Sequence, residues 1–342
     1  MKKSNLLKEV IEHIDFTSFD ATPIINAMRK MSFTSRDTAR AADILAAMME
    51  EKEGTVILTI AGSTSAAGCM QLYSDMVRLS MVDAIVATGA SIVDMDFFEA
   101  LGFKHYRGSA SADDSHLREL YIDRIYDTFI DEKELQVCDR TIKEIADSLR
   151  PGSYSSREFI REMGRYLTAR ARKRGSLVQL AYEHHVPVFC PAFSDSSAGF
   201  GLVLHQHECL KARKEYVSID SVKDFRELTE IKMRAPTSGL FMIGGGVPKN
   251  FAQDTVVCAE VLGKEVPMHK YAVQITVADV RDGACSSSTL KEASSWGKVD
   301  TVHEQMVYAE ASSVLPLIAS YVYHKGSWKG RRQREWAKIF EQ

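Results

Sequence analysis

The chain has 342 residues, of which 45% are hydrophobic and 26% charged, and its formal net charge is −3. This length and apolar content are enough for a full-sized buried core. The near balance of charges provides no global positive field, so composition argues against a protein that binds nucleic acid or an anionic membrane surface.

The cysteines and the amino-terminal segment indicate an intracellular protein. The six cysteines are scattered and none forms a CxxC pair, a pattern typical of reduced thiols. The segment MKKSNLLKEVIEHID is charged throughout and lacks the apolar core of a signal peptide. No run approaches the roughly 20 apolar residues that a membrane span needs. We therefore expect a cytoplasmic protein with no membrane partner.

Short apolar runs alternate with longer helical patterns along the chain. The runs predict buried strands at TVILTI (55–60), VDAIVA (82–87), VPVFC (186–190), GLFMIG (239–244) and YAVQIT (271–276). Helical periodicity lies between them, for example over 40–51 and 156–175. Strands that alternate with helices predict a parallel sheet covered on both faces, a Rossmann-like α/β fold.

No shift in composition marks a domain boundary, so we expect a single domain over 1–342. A helical extension is expected over about 1–30. The polar stretch over about 105–155 is a possible insertion or lid, because YRGSASADD and LRPGSYSS are loop signals.

Small residues follow the predicted strands. The turns are AGSTSAAG (61–68), ATGAS (87–91), PAFSDSS (191–197), GGGVPKN (244–250) and ADVRDG (278–283). In a parallel sheet, ligands bind beyond the carboxyl ends of the strands, and glycine-rich turns let backbone N–H groups approach a phosphate. Five such turns predict a nucleotide-type cofactor at one edge of the sheet. No turn matches GxGxxG or the P-loop, which disfavours an ordinary Rossmann dehydrogenase or a kinase.

The segment EASSWGKVD (292–300) has two interpretations. As a structural element, Thr289 and Glu292 form a capping box, Trp296 packs, and Gly297 caps the carboxyl end of a short helix. As a functional element, the Trp296 indole and Glu292 hold a cation while Lys298 acts as a nucleophile. The pattern alone leaves both open.

The same segment closely resembles the EAxSWGK signature of deoxyhypusine synthases and the related homospermidine synthases. IGGGVPKN, VPVFCPAFSDSS, AIVATGA and VYAEAS also resemble that family's motifs in order and spacing, over about residues 30–325. The resemblance implies an NAD-dependent enzyme with a Rossmann-like fold. It also implies a homotetramer whose active sites are shared between subunits.

Residue roles follow from the resemblance motif by motif. Lys298 would be the nucleophile that forms an imine. The NAD site would contain Thr88, Asp94, Asp195, Gly244, Gly245, Ala278, Asp282 and Glu310. The polyamine would contact Glu292, Trp296 and Ser286.

The chain departs from the family pattern at positions in the expected substrate pocket. Phe200 and Cys285 stand where family members carry Asp, and Asn250 stands in place of His; Glu310, at the NAD site, also replaces Asp. Two lost carboxylates change how a cationic donor would be held. We therefore expect an NAD-dependent transferase that moves a 4-aminobutyl group from spermidine, through a lysine imine, to a small amine such as putrescine. The alternatives are transfer to a protein lysine, as in deoxyhypusine synthase, and a non-catalytic NAD-binding homologue.

Two further motifs, at 205–209 and 325–336, resemble binding sites but favour a structural interpretation. HQHEC (205–209) places His205, His207 and Cys209 at alternating positions, which on a strand would point to one side; without a second ligand pair we expect no metal site. The basic segment 325–336 is expected to be a solvated terminal helix without a nucleic-acid partner.

Overall fold

Strands and helices alternate along the computed structural model, which describes residues 2–281 and 288–341. The strands are β1 (Gly54–Ile60), β2 (Ala84–Ala87), β3 (Tyr106–Arg107), β4 (Ile122–Ile125), β5 (Thr128–Asp131), β6 (Gly152–Tyr154), β7 (Val188–Phe189), β8 (Val217–Ile219), β9 (Thr237–Ile243), β10 (His269–Thr276) and β11 (Val299–Tyr308). The helices are α1 (Lys3–Leu6), α2 (Thr22–Met28), α3 (Phe33–Glu50), α4 (Met70–Arg78), α5 (Phe98–Ala100), α6 (Asp114–Glu119), α7 (Glu132–Ser148), α8 (Ser156–Arg170), α9 (Leu177–Glu183), α10 (Ser197–Lys211), α11 (Ser221–Arg234), α12 (Gly246–Gln253), α13 (Thr255–Val261), α14 (Leu290–Ser295) and α15 (Ala311–Lys325). Turns of π-helix lie at Ser65–Cys69 and Ala90–Phe97, and a 3-10 turn lies at Trp336–Phe340.

A parallel sheet of six strands, in the order β11-β10-β9-β1-β2-β7, forms the centre of the molecule. The predicted α/β fold is confirmed, and the five predicted strands all belong to this sheet. The strand expected over 186–190 is shorter, because only Val188 and Phe189 pair with β2. The edge strand β11 was not predicted, since its sequence VDTVHEQMVY is too polar to look like a buried strand.

The two faces of the sheet carry separate apolar cores, as the alternation of side chains along a strand requires. Leu58 of β1 faces the core built with α3 and α15, which contribute Leu45 and Leu315. Ile57 faces the opposite core, which contains residues of α11, α12 and α14 such as Ala252. The second face is therefore the one on which the segments after β9 and β10 lie.

The polar region over about 105–155 forms regular structure. The strands β3, β5 and β4 make a small antiparallel sheet, and α7 from this region packs against α10. The strand β6 pairs in parallel with β8 from later in the chain.

The expectation of a solvated terminal helix over 325–336 is wrong. The Arg331 side chain is 2% exposed and its Nη2 lies 2.5 Å from the fully buried Asp83 Oδ2. The indole Nε1 of Trp336 donates a hydrogen bond to Thr55 Oγ1 at 3.2 Å. A buried carboxylate requires a cationic partner, so this segment closes the sheet at the starts of β1 and β2.

The strand-like interpretation of HQHEC is also wrong, because these residues lie in α10. A helix places residues four apart on one face, so Cys209 Sγ lies 3.9 Å from His205 Nε2 while His207 points elsewhere. His205 donates from Nδ1 to Asp147 Oδ1 at 2.7 Å and accepts from the Val217 N–H at 3.0 Å, which are packing contacts. Over 2–281 and 288–341, no three His, Cys, Asp or Glu side chains are grouped as a metal site.

In the described ranges, every helix is too short or too polar to span a lipid bilayer.

Candidate active site

A cavity of about 520 Å³ opens at the carboxyl edge of the central sheet. Four of the five predicted small-residue turns line it, those that follow β1, β2, β7 and β9. The lining residues are Ala61, Gly62, Ser63, Ala87, Thr88, Gly89, Ala90, Pro191, Ala192, Asp195, Gly244, Gly245, Gly246, Val247 and Pro248. The sequence-predicted residues Thr88, Asp195, Gly244 and Gly245 are thus brought together.

Glycine is required where the turns approach each other most closely. Gly244 has φ +75°, and a Cβ there would lie 3.2 Å from both the Cβ and the carbonyl oxygen of Ala61. A Cβ on Gly89 would lie 2.6 Å from Ser196 Oγ. These contacts leave a cradle of backbone and small side chains at the start of α12, which suits a phosphate-bearing ligand. Asp195, exposed in the cavity, is an acceptor suited to ribose hydroxyls.

Asp94 lies outside the cavity lining. Its Oδ1 accepts a hydrogen bond from the Ser197 backbone N–H at 2.7 Å, which ties the Ala90–Phe97 turn to the start of α10. Burial raises the pKa of Asp94 to about 6, and the neighbouring Asp139 and Asp195 also raise it.

Three other predicted residues also lie apart from the cavity. Phe200 is on α10 with 66% of its surface exposed. Glu310 caps α15 by accepting from the Ser312 N–H at 3.0 Å. Ala278 follows β10 and is not among the cavity residues in the described ranges. Three further predicted residues, Asp282, Cys285 and Ser286, lie outside the described residues.

The predicted capping box of α14 is confirmed. Thr289 Oγ1 accepts from the Glu292 N–H at 3.1 Å, and Glu292 Oε2 accepts from the Thr289 N–H at 2.5 Å. At the other end, Trp296 is the capping residue and Gly297 follows it with φ +72°. The Lys298 N–H bonds back to the Ala293 carbonyl at 3.1 Å, which completes a Schellman motif and turns the chain into β11.

Lys298 is held by two side chains. Its Nζ lies 2.5 Å from Asp254 Oδ1 and 5.1 Å from the centre of the Trp296 ring. The Lys298 side chain is 17% exposed, whereas Trp296 is 69% exposed. The nucleophile predicted from the sequence is therefore largely covered, with an indole face and a carboxylate on its amine.

Sequence analysis missed Asp254 and Lys249, which belong to the same segment as the GGGVPKN turn. Lys249 is fully buried and its Nζ donates to the Ser288 carbonyl. Burial lowers the pKa of Lys249 to about 8; Glu292 opposes this shift and Lys298 adds to it. The hydrogen bond to Ser288, which precedes the N-cap Thr289 of α14, places Lys249 near the Glu–Trp–Lys segment. The half-buried Asn250 adjoins it on α12, and its carbonyl accepts the Asp254 N–H at 2.8 Å.

A buried polar chain lies beside Lys298 at the start of β10. Lys232 Nζ donates to Ser238 Oγ at 2.7 Å, and Ser238 Oγ lies 2.9 Å from His269 Nδ1. The His269 backbone N–H in turn donates to the Lys298 carbonyl at 3.0 Å. In the described ranges no carboxylate lies within ion-pair distance of Lys232, and burial lowers its pKa to about 8.

The glycine cavity and Lys298 lie at different places on one chain. Lys298 precedes the first residue of β11, at the amino edge of the sheet, and is not among the cavity residues in the part of the chain described. Helix α12 connects the two places, because Gly246 lines the cavity and Asp254 follows its last residue. Its eight residues span roughly 12 Å at 1.5 Å per residue. A single chain thus carries the cavity and Lys298 at two separate places.

Comparisons with known proteins agree with this architecture. The family model "Deoxyhypusine synthase" matches residues 23–322. A deoxyhypusine synthase-like protein of Coxiella burnetii is 68% identical over 99% of this chain and 96% of its own length. The Caulobacter vibrioides protein of the same description is 66% identical over 99% of this chain and 93% of its own. The crystal structure of an Entamoeba histolytica protein assigned as a deoxyhypusine synthase has a TM-score of 0.61 and 19% identity, covering 95% of this chain and 99% of the other, and supports the fold.

Proposed function

Since the chain belongs to the deoxyhypusine synthase family, we propose that it is an NAD-dependent aminobutyl transferase. The donor is a polyamine, spermidine, and the 4-aminobutyl group passes through an imine on Lys298 to an acceptor amine. The observation that carries the proposal is the covered Lys298 amine between the Trp296 indole and a carboxylate. A lysine that only ends a helix is ordinarily solvated, whereas the Lys298 side chain is 17% exposed.

The glycine cavity fits the dinucleotide. Gly244 and Gly245 would receive the pyrophosphate, and Asp195 would accept hydrogen bonds from ribose hydroxyls. When bound, NAD supplies the uptake and return of a hydride. The walls, built from four turns, would exclude water from the donor carbon that undergoes this oxidation.

Lys298 performs the transfer chemistry in this proposal. Its nitrogen attacks the oxidised carbon of the donor, and diaminopropane departs. The 4-aminobutyl group then remains on Lys298 until the acceptor amine displaces it. The exposed indole of Trp296 would attract the cationic ends of donor and acceptor.

A second copy of the chain would bring the cavity and Lys298 together, in a homotetramer with shared sites. Supporting this, the surface near Lys298 and β11 exposes several apolar side chains that a monomer gains nothing by exposing. These are Trp296, Val302, Tyr308 and Val277, between 44% and 73% exposed. Analytical ultracentrifugation measures the oligomeric state, and we expect a tetramer. A monomer would contradict shared sites.

A small amine such as putrescine is the proposed acceptor. The exposed Phe200 replaces a carboxylate expected to bind a cation, so the polyamine is held differently here than in the enzymes that modify a protein lysine. A panel of amine acceptors with product mass spectrometry tests this point. Product confined to a protein lysine would contradict it.

The imine itself can be trapped. We expect incubation with NAD and spermidine, followed by borohydride, to leave a 4-aminobutyl group on Lys298 that peptide mass spectrometry locates. Lys298→Ala should abolish turnover, while Lys291→Ala, which removes an exposed lysine from the preceding helix α14, should not. Absence of an adduct at Lys298 in the unaltered protein, with equal turnover in both variants, would refute the proposed function.

A further inference from the structure

Asp254 is at the N-cap position of α13, where an aspartate usually caps the helix with its side chain. It follows the last residue of α12 and precedes the first residue of α13, with φ −71° and ψ −7°. An aspartate before a helix commonly accepts N–H groups of the first turn. Asp254 makes no such side-chain bond. Its carboxylate instead forms an ion pair with Lys298, with Oδ1 2.5 Å from Nζ.

Two other carboxylates among the predicted site residues are engaged elsewhere. Glu292 is used in the capping box of α14. Asp94 accepts from a backbone N–H at the start of α10, behind the cavity wall. In the ranges 2–281 and 288–341, Asp254 is the carboxylate within ion-pair distance of Lys298. The Asp254 side chain is 38% exposed, so it can also reach a bound ligand.

We propose that Asp254 is a catalytic carboxylate of the Lys298 reaction, which accepts the proton that the lysine ammonium must lose and then balances the cationic imine. This inference rests on the proposed function. It concerns a contact to the reacting nitrogen.

The proposed step conserves protons and electron pairs. Asp254 takes one proton from the Lys298 ammonium, and the free electron pair on Nζ forms a bond to the oxidised, iminium carbon of the donor. The bond from this carbon to the departing nitrogen then breaks, and its electron pair stays with that nitrogen. The departing nitrogen gains one proton from Nζ and one from Asp254, and leaves as an ammonium ion. The protonated imine on Lys298 now faces an ionised Asp254.

The same contact predicts a behaviour that needs no substrate. Asp254 Oδ1 lies 2.5 Å from Lys298 Nζ, so removing the carboxylate frees the amine from this contact. We expect Asp254→Asn to raise severalfold the rate at which fluorodinitrobenzene modifies Lys298 at pH 7.5, because the carboxylate no longer holds the amine in an ion pair. Asp254→Glu should restore the low rate. Glu260→Gln, which removes an exposed carboxylate from α13, should leave it unchanged.

The covalent role is tested with the same variants. With NAD and spermidine, we expect Asp254→Asn to lower the borohydride-trapped adduct on Lys298 at least tenfold, with partial rescue by Asp254→Glu. Thermal denaturation checks that each variant is folded. Equal labelling and equal trapping in Asp254→Asn and the unaltered protein would overturn the role of Asp254 alone. No adduct in the unaltered protein would refute the proposed function and, with it, this role.

Discussion

Replacing Lys232 by Met should stabilise the protein at neutral pH. Lys232 is fully buried, and its Nζ contacts Ser238 Oγ without a carboxylate nearby in the described ranges. Met has a similar length and no charge, so packing is retained while a buried cation is removed. Ser238 Oγ keeps His269 Nδ1 as its hydrogen-bond partner, so the substitution leaves this hydroxyl paired.

The size of the effect follows from the lowered pKa of Lys232. Burial lowers it from 10.5 to about 8. Because one pKa unit corresponds to about 1.4 kcal/mol, the buried charge costs about 3 kcal/mol of unfolding free energy at pH 7. The unfolded state binds the proton more tightly than the folded state. The cost is therefore full below pH 8, declines as the pH rises, and vanishes above pH 10.5.

Urea denaturation at pH 7 and pH 10, at one protein concentration, measures this difference. We expect Lys232→Met to raise the free energy of unfolding by about 3 kcal/mol at pH 7 and by less than about 1 kcal/mol at pH 10. Lys291→Met, at an exposed position, is the matched control and should change little at either pH. A loss of stability at pH 7, or an equal gain at both pH values, would refute the reasoning.

Three further substitutions address other parts of the structure. Gly244→Ala should weaken NAD binding at least tenfold in calorimetry, because its Cβ would press on the cavity wall. The control Gly263→Ala has a similar φ of +78° but open surroundings, and should bind NAD normally. Equal affinities of the two variants would argue against the cradle. Arg331→Ala should lower the free energy of unfolding by about 3–5 kcal/mol, since Asp83 would keep a buried charge without its partner; a loss below about 1 kcal/mol in urea would contradict this. Asp94→Asn should stabilise the protein at pH 7.5 but not at pH 3.8. Because burial raises the pKa of Asp94 from 3.8 to about 6, the cost of its buried charge begins above pH 3.8 and is complete above about pH 6. Equal changes in the free energy of unfolding at both pH values would exclude this cause.

Features set by neighbouring residues could be predicted from the sequence. The capping box at Thr289 and Glu292 was predictable because both partners lie within one helical turn. The central strands were predictable because both of their faces are buried, which requires continuous Val- and Ile-rich runs such as TVILTI. The shared edge of the small-residue turns followed from the parallel direction of those strands.

Features set by contacts between distant segments could not be predicted. The edge strand β11 is half covered, so its composition carries little apolar signal. Arg331 and Asp83 are 248 positions apart, and nothing near either residue indicates the other. The pairing of Asp254 with Lys298 likewise depends on how α12 and α14 lie on one face of the sheet, which local spacing does not encode.

The burial of Asp83 beneath Arg331 has a consequence for biosynthesis. When residues 1–330 have left the ribosome, every strand of the central sheet is in solution. Arg331, whose guanidinium pairs with Asp83, has not yet emerged. Until that guanidinium emerges, a nascent chain can assemble its sheet only by protonating Asp83 or leaving it hydrated. The final closure of the domain is therefore coupled to late translation, and stalled chains that lack this segment would be natural clients of chaperones.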